Sequence, residues 1–113
     1  MFAPRVAFVD LETTGASPAH ARVTEVGIVL VETGPEGERI SEWASLVNPG
    51  CNIPADIQWL TGISNEMVRD APPFERLAPE IAERLAGAVF VAHNARFDYG
   101  FLRAEFARAG IAF

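Results

Sequence analysis

Cysteine is almost absent from this chain of 113 residues: Cys51 is the only one, so an internal disulfide is excluded and a reducing compartment is favoured. Long hydrophobic runs are also missing, and none approaches the length that a membrane-spanning helix needs. The N-terminal residues do not combine a charged segment with a long apolar stretch, as a secretion signal does. These absences predict a cytoplasmic protein with no membrane partner.

Basic residues are scarce relative to acidic ones, with 9 Lys and Arg against 15 Asp and Glu and a formal net charge of −6. A general electrostatic attraction to phosphate groups is therefore excluded. If the partner is nucleic acid, a bound divalent cation is one way to bring it in. Half of the residues are apolar. That composition is sufficient for one domain over residues 1–113, and the chain is too short for two.

Apolar and β-branched runs predict the strands. The continuous run at 6–9 is typical of a central strand that is buried on both faces, and residues 88–92 form a second such run. Residues 24–32 and 39–47 predict two further strands with a turn at 33–38. Three consecutive strands with short connections favour an antiparallel meander. The Gly-, Pro- and Thr-rich residues 11–22 predict a loop.

Helical spacing predicts the remaining elements. Residues 56–67 are expected to hold short helical turns, and apolar residues at helical intervals predict a helix from near Leu77 with Pro79 in its first turn. Asn94 is a suitable N-cap and Gly110 a suitable C-terminal residue for a last helix. In that helix Asp98 lies in the first turn, on the same stripe as Leu102.

The motif FVDLETTG, residues 8–15, places two carboxylates at the end of an apolar strand. Strand alternation puts Asp10 and Glu12 on one face. Carboxylate oxygens are the ligands that Mg²⁺ prefers, and a bound cation would offset both the repulsion and the desolvation cost. A strand that has simply reached solvent is the alternative. Asp98 strengthens the metal hypothesis, because a carboxylate on a buried helical stripe needs a partner, although acidic residues are also common near helix N-termini.

These residues resemble a known family, the DEDD-type (DnaQ-like) 3′–5′ exonucleases, which include the proofreading epsilon subunit of bacterial DNA polymerase III. FVDLETTG is similar to the first motif of that family. VAHNARFDYGFL, residues 91–102, is similar to the second, Asn-x-x-x-Asp, carried by Asn94 and Asp98. TEVGIVLV, LVNPG and LTGIS also fall where the family has similar segments. The resemblance extends from about Arg5 to Gly110.

The resemblance implies an α/β fold of the ribonuclease H-like type, in which helices flank a mixed sheet. It implies a metal-dependent exonuclease with two divalent ions, Mg²⁺ or Mn²⁺, and a nucleic acid 3′ end, in particular single-stranded DNA, as substrate. A polymerase subunit is an implied partner. The implied catalytic and metal-binding residues are Asp10, Glu12 and Asp98, and the implied substrate contacts are Thr13, Thr14, Gly15, Leu60, Ile63, Asn94 and Phe101. For Phe101, ordinary core packing is the favoured alternative.

The third motif of the family, which supplies a general base and a fourth carboxylate, does not occur in this sequence. HNARFD, residues 93–98, matches its His-x-x-x-x-Asp form but coincides with the second motif, so His93 is interpreted as structural. We therefore expect a fold that is incomplete at the C-terminus and little activity from this chain. Glu25 and His20 are expected to face solvent. Three alternatives stay open: a non-catalytic module that binds a polymerase or another partner, an oligoribonuclease-like enzyme, and self-association into a homo-oligomer.

Overall fold

The computed structural model describes residues 5–113, and this part of the chain forms four strands and four helices. A hairpin with Pro35 and Glu36 at its tip joins the second and third strands. In chain order the elements are β1 (Arg5–Thr13), β2 (Val23–Gly34), β3 (Gly37–Leu46), α1 (Ala55–Thr61), α2 (Asn65–Val68), α3 (Phe74–Leu85), β4 (Val89–Val91) and α4 (Ala95–Ala109).

The sheet is mixed, with the strand order β3-β2-β1-β4. The first three strands form the antiparallel meander that the sequence predicts. β4 lies parallel to β1, with Val6 opposite Val89 and Phe8 opposite Val91. A parallel partner requires a crossover connection, which the segment containing α1, α2 and α3 supplies. The arrangement makes β1 a central strand.

Only one face of the described sheet is covered. Alternation along β1 buries Ala7, Val9 and Leu11, whereas Phe8 is 46% exposed on the other face. The prediction that the 6–9 run is buried on both faces is therefore wrong, as is the prediction of a buried last strand, since Val89 in β4 is 47% exposed. Continuous apolar runs carry no signal that distinguishes one covered face from two.

The core lies between the covered face and helices α3 and α4. Phe74 of α3 and Phe106 of α4 meet edge to face with ring centroids 5.3 Å apart, and both are fully buried. The helix predicted from near Leu77 begins at Phe74 instead, directly after Pro73 at its N-cap, so Pro79 lies in the second turn. Pro79 is on the exposed side of α3, where water can hydrogen-bond the carbonyl group that the proline leaves without a donor.

The ends of α4 follow the sequence signals. Asn94 occupies the N-cap position, although its side chain makes no capping hydrogen bond. Gly110 ends the helix in the left-handed conformation, with φ at 71°, which residues with a Cβ atom adopt at a cost. A second apolar cluster of Ile53, Ile63 and Val68 holds α1 and α2, with Leu46 of β3 packed against it.

A search of residues 5–113 for a helix with the length and hydrophobicity of a membrane span finds none.

Candidate active site

The second half of β1 has a free side, and this is where the candidate site lies. β4 pairs with β1 only as far as Phe8 and ends at Val91, so no described strand pairs with that side of β1 beyond this point. The chain leaves β4 and enters α4 at Ala95 after a short connection. The first turn of α4, which carries Asp98, thereby reaches the end of β1 that carries Asp10 and Glu12.

The carboxylate of Asp98 is buried beside β1, with 6% of the residue exposed. Burial raises the pKa of Asp98 above its ordinary value, and the negative charge of Asp10 raises it further. The backbone N–H group of Leu11 lowers this pKa, as do those of Asn94 and Asp98 itself. Because Leu11 stands between Asp10 and Glu12 in the strand, Asp98 approaches β1 at the position of the two predicted carboxylates.

Glu12 experiences three neighbouring negative charges. Partial burial raises its pKa, and the charges of Asp10, Glu25 and Asp98 raise it further, in that order of size. Glu25 lies directly opposite Glu12 on β2, which explains its contribution. Asp10 is exposed on the open face of the sheet and lies opposite Gly27, whose lack of a side chain leaves the space beside it open. Four carboxylates therefore share one region.

The three carboxylates of the predicted metal centre do not form a complete metal-binding cluster in this structure. Among residues 5–113, no three His, Cys, Asp or Glu side chains lie close enough together to hold a metal ion. Burial and, after it, the neighbouring negative charges raise the pKa values of Glu12 and Asp98, so bringing the carboxylates together without a cation would cost free energy. The donor set nevertheless has the chemistry that hard divalent cations prefer, because it consists of carboxylate oxygens, and the strand and helix that carry them are in contact.

The raised pKa values predict that acidification stabilises the metal-free protein through these groups. The folded state binds protons at a higher pH than the unfolded state, so the free energy of unfolding rises as the pH falls from neutrality towards 4.5 for Glu12 and 3.8 for Asp98, and the gain is constant below those values. Asp98→Asn should remove the part of this stabilisation that Asp98 contributes. We expect the Tm of this variant, measured in EDTA between about pH 4 and pH 7, to rise less or fall more on acidification than that of the unmodified chain. Asp70→Asn, an exposed carboxylate after α2, is the control. The same change of Tm with pH in Asp98→Asn as in the unmodified chain would contradict the raised pKa of Asp98.

The two threonines of the motif are buried and make hydrogen bonds within the protein. The Thr13 hydroxyl donates to the carbonyl oxygen of Gly15 at 2.7 Å, and the Thr14 hydroxyl accepts from the backbone N–H of Arg22 at 2.9 Å. The Thr14 N–H donates to the Arg22 carbonyl oxygen at 2.8 Å. The predicted contacts of these side chains with a nucleotide are therefore not supported. Both residues instead fix the loop after β1, and Gly15, beside Ala21, is half-buried.

A buried ion pair connects this loop to α4. The carboxylate of Glu105, which is 1% exposed, accepts from Arg22 Nε at 3.0 Å, from Arg22 Nη2 at 2.8 Å and from the Val23 N–H at 2.9 Å. The pair raises the pKa of the Arg22 guanidinium. Glu105 lies two helical turns after Asp98, so it anchors the helix that carries Asp98 to the start of β2.

The remaining predicted substrate contacts divide by exposure. Leu60 is 73% exposed, and Asn94 is also exposed, so both are accessible to a ligand. Ile63 is 4% exposed in the second apolar cluster, and Phe101 is fully buried beside Phe97 with ring centroids 4.8 Å apart. Phe101 has the core packing that was favoured for it, and Ile63, enclosed in the second apolar cluster, offers no surface to a base in this structure.

Two residues of interest escaped the sequence interpretation. Glu105 follows Asp98 at a spacing of two helical turns, a signal that places it on the buried face. Trp59 is 86% exposed, and no pattern in the sequence predicts exposure of so large an apolar side chain. His20 faces solvent as expected, Glu25 is half-buried, and His93 is exposed just after β4.

Comparison with known proteins gives consistent sequence matches. A family model for RNase_T, described as Exonuclease, matches residues 7–112. The 3′–5′ exonuclease DinG of Bacillus subtilis is 45% identical over 107 residues, which cover 94% of this chain and 11% of DinG. A PolC-type DNA polymerase III of Caldanaerobacter subterraneus is 37% identical over 102 residues, which cover 90% of this chain and 7% of the polymerase. The chain thus spans about a tenth of the length of these relatives.

Solved structures share the fold. Product-bound exonuclease I superimposes with a TM-score of 0.83 over 97% of this chain and 27% of exonuclease I, at 19% identity. E. coli exonuclease I in complex with a dT13 oligonucleotide gives a TM-score of 0.79 over 95% of this chain and 24% of the enzyme, at 21% identity. The predicted ribonuclease H-like arrangement of a mixed sheet and helices is confirmed.

Proposed function

This chain belongs to the exonuclease family. We propose that it supplies the metal-binding carboxylates of a 3′–5′ exonuclease site. The reaction is hydrolysis of the phosphodiester bond at the 3′ end of a nucleic acid strand. The observation that carries the proposal is the approach of α4 to the end of β1, which brings the charge of Asp98 within range of Asp10 and Glu12. It is supported by the electrostatic effect of these groups on one another and by the backbone N–H of Leu11 beside Asp98.

The three carboxylates would hold divalent cations, Mg²⁺ or Mn²⁺, and such ions stabilise the charge that develops on the attacking and leaving oxygens of a phosphodiester. The exposure of Asp10 on the open face of the sheet supports a role for it in contact with both the cations and the substrate. Burial and neighbouring charges raise the pKa values of Glu12 and Asp98, and a bound cation would lower them, because it favours the ionised form that a metal ligand needs. Glu25 adds a fourth negative charge beside Glu12.

Single-stranded DNA is the proposed substrate. Exonuclease I, which shares the fold, has been solved with a dT13 oligonucleotide, and the DinG relative is named a 3′–5′ exonuclease. The PolC-type relatives support a polymerase as partner and a proofreading role. With a net charge of −6, the chain depends on bound cations rather than on basic residues to attract phosphate.

Digestion of end-labelled oligonucleotides tests the proposal. We expect slow digestion by this chain: with protein in excess and Mn²⁺ present, a single-stranded DNA with a 5′ label should give progressively shorter products, and the same strand with a 3′ label should release a labelled mononucleotide first. EDTA should stop both reactions. An RNA strand of matching sequence, run in parallel, reports the preference between DNA and RNA. Shortening from the 5′ end, or digestion that persists in EDTA, would contradict the proposal.

A non-catalytic module that binds a polymerase is the alternative, and the same assay separates the two functions. A binding-only module would leave the labelled strand intact in Mn²⁺. Loss of digestion on replacing Asp10 would exclude that function, because a purely binding surface does not require a metal-ligating carboxylate.

A further inference from the structure

Two consecutive large apolar residues protrude from the short helix α1. Trp59 is 86% exposed and Leu60 is 73% exposed. None of the residues of α1, Ala55–Thr61, is buried, so the helix packs only loosely against its neighbours. Such an exposed pair costs free energy in water and is typical of a surface that binds something.

The position of α1 connects this pair to the candidate active site. Ile57 of α1 packs against the second apolar cluster, which also contacts Leu46 at the end of β3. Leu46 lies opposite Glu25 on β2, and Glu25 lies opposite Glu12 on β1. The helix α1 therefore lies at the end of the sheet that carries Glu12 and Glu25.

The charge of this segment favours a nucleic acid strand as the occupant. No charged residue lies between Asp56 and Glu66, in a chain whose net charge is −6. The segment thus presents an apolar surface at the same end of the sheet as the acidic site, without adding repulsion towards phosphate. Exposed bases of a single strand stack on aromatic side chains, each such contact contributing about 1–3 kcal/mol.

We propose that Trp59 is a substrate-positioning residue on which a base of single-stranded nucleic acid stacks while the 3′ end lies at the carboxylates. This inference rests on the proposed nuclease function. It adds an aromatic contact to the exposed Leu60 and gives the substrate strand a path over α1.

Tryptophan fluorescence tests the proposal directly, because the chain has two tryptophans, Trp43 and Trp59. Trp43 is half-buried with the Arg84 guanidinium 5.2 Å from its ring centre, so Trp43→Phe leaves Trp59 as the only reporter. We expect oligo-dT to quench the emission of this variant saturably. Stacking of a base on the indole ring is the physical cause of the quenching.

Affinity is then compared among variants by the anisotropy of a fluorescein-labelled oligo-dT. Trp59→Ala should weaken binding roughly 5- to 150-fold, the loss that corresponds to one stacked base, whereas Trp59→Phe should retain most of the affinity. Ile40→Ala is the matched control, since Ile40 is 64% exposed on β3 towards the opposite end of the sheet, and it should bind like the unmodified chain.

The outcomes separate this inference from the nuclease proposal. Digestion that depends on Asp10, combined with equal oligo-dT affinity in Trp59→Ala and Ile40→Ala, would overturn the role of Trp59 alone. Absence of digestion would count against the nuclease proposal, whereas saturable quenching would still support stacking. Emission that changes with protein concentration and not with oligo-dT would overturn the inference by showing that a second copy covers Trp59.

Discussion

Replacing Asp10 with Asn is expected to slow the digestion of single-stranded DNA about a thousandfold or more, because ligated cations supply several kcal/mol of transition-state stabilisation and each 1.36 kcal/mol is a factor of ten in rate. Asp10→Asn should fold at least as stably as the unmodified chain. Asp10 raises the pKa values of Glu12 and Asp98, so removing its charge relieves repulsion. Single-turnover digestion rates in Mn²⁺, with Tm measured on the same preparations, check both expectations.

Glu42→Gln is the matched control for this prediction. Glu42 is an exposed carboxylate on the same open face of the sheet as Asp10, and both line one shallow depression. Its replacement changes the charge near the substrate equally but removes no predicted metal ligand, so we expect a rate close to that of the unmodified chain. Equal losses in Glu42→Gln and Asp10→Asn would contradict the assigned role of Asp10.

Replacing Glu105 with Ala is expected to lower the free energy of unfolding by about 3 kcal/mol, which corresponds to a decrease in Tm of roughly 10 °C. The variant leaves the Val23 N–H buried without its acceptor and the Arg22 guanidinium without its carboxylate partner. Because the Arg22 side chain is 31% exposed, water compensates for part of the loss, which places the estimate towards the lower end for a buried pair. Urea unfolding measures the change.

Glu80→Ala provides the comparison, because Glu80 pairs with Arg84 at 3.0 Å on the surface of α3, where its side chain is 49% exposed. A surface pair contributes at most about 1 kcal/mol. A loss in Glu105→Ala no greater than that in Glu80→Ala would show that the connection between α4 and β2 does not depend on this ion pair.

Sequence patterns predicted the features that depend on local chemistry. Alternation along β1 placed Asp10 and Glu12 on the face opposite Val9, and the structure has this arrangement. Gly110 ends the last helix as predicted. Each of these features follows from spacing and backbone geometry, which a sequence displays directly.

Local sequence patterns were a poorer guide to which side chains the folded chain encloses. Ile63 was expected to contact a base, but the second apolar cluster encloses it, whereas Phe101 has the core packing that was favoured for it. The hydroxyls of Thr13 and Thr14 were expected to face a nucleotide, but they bond to the backbone of the loop that follows β1. Burial of this kind depends on neighbours that are distant in sequence, so local pattern does not reveal it.

The pairing of Glu105 with Arg22 was missed for a related reason. The partners are separated by 83 positions, and only the return of α4 over the sheet brings them together. The helical spacing from Asp98 shows that Glu105 faces inward, but it does not identify the cation that it meets.

Calorimetric titration of Mn²⁺ into the unmodified chain and into Asp10→Asn tests the central claim, which is that carboxylates from β1 and α4 together bind divalent cations. We predict a saturable heat for the unmodified chain, loss of that heat in Asp10→Asn, and weaker binding in Asp98→Asn. Identical heats in the unmodified chain and in Asp10→Asn would contradict the account.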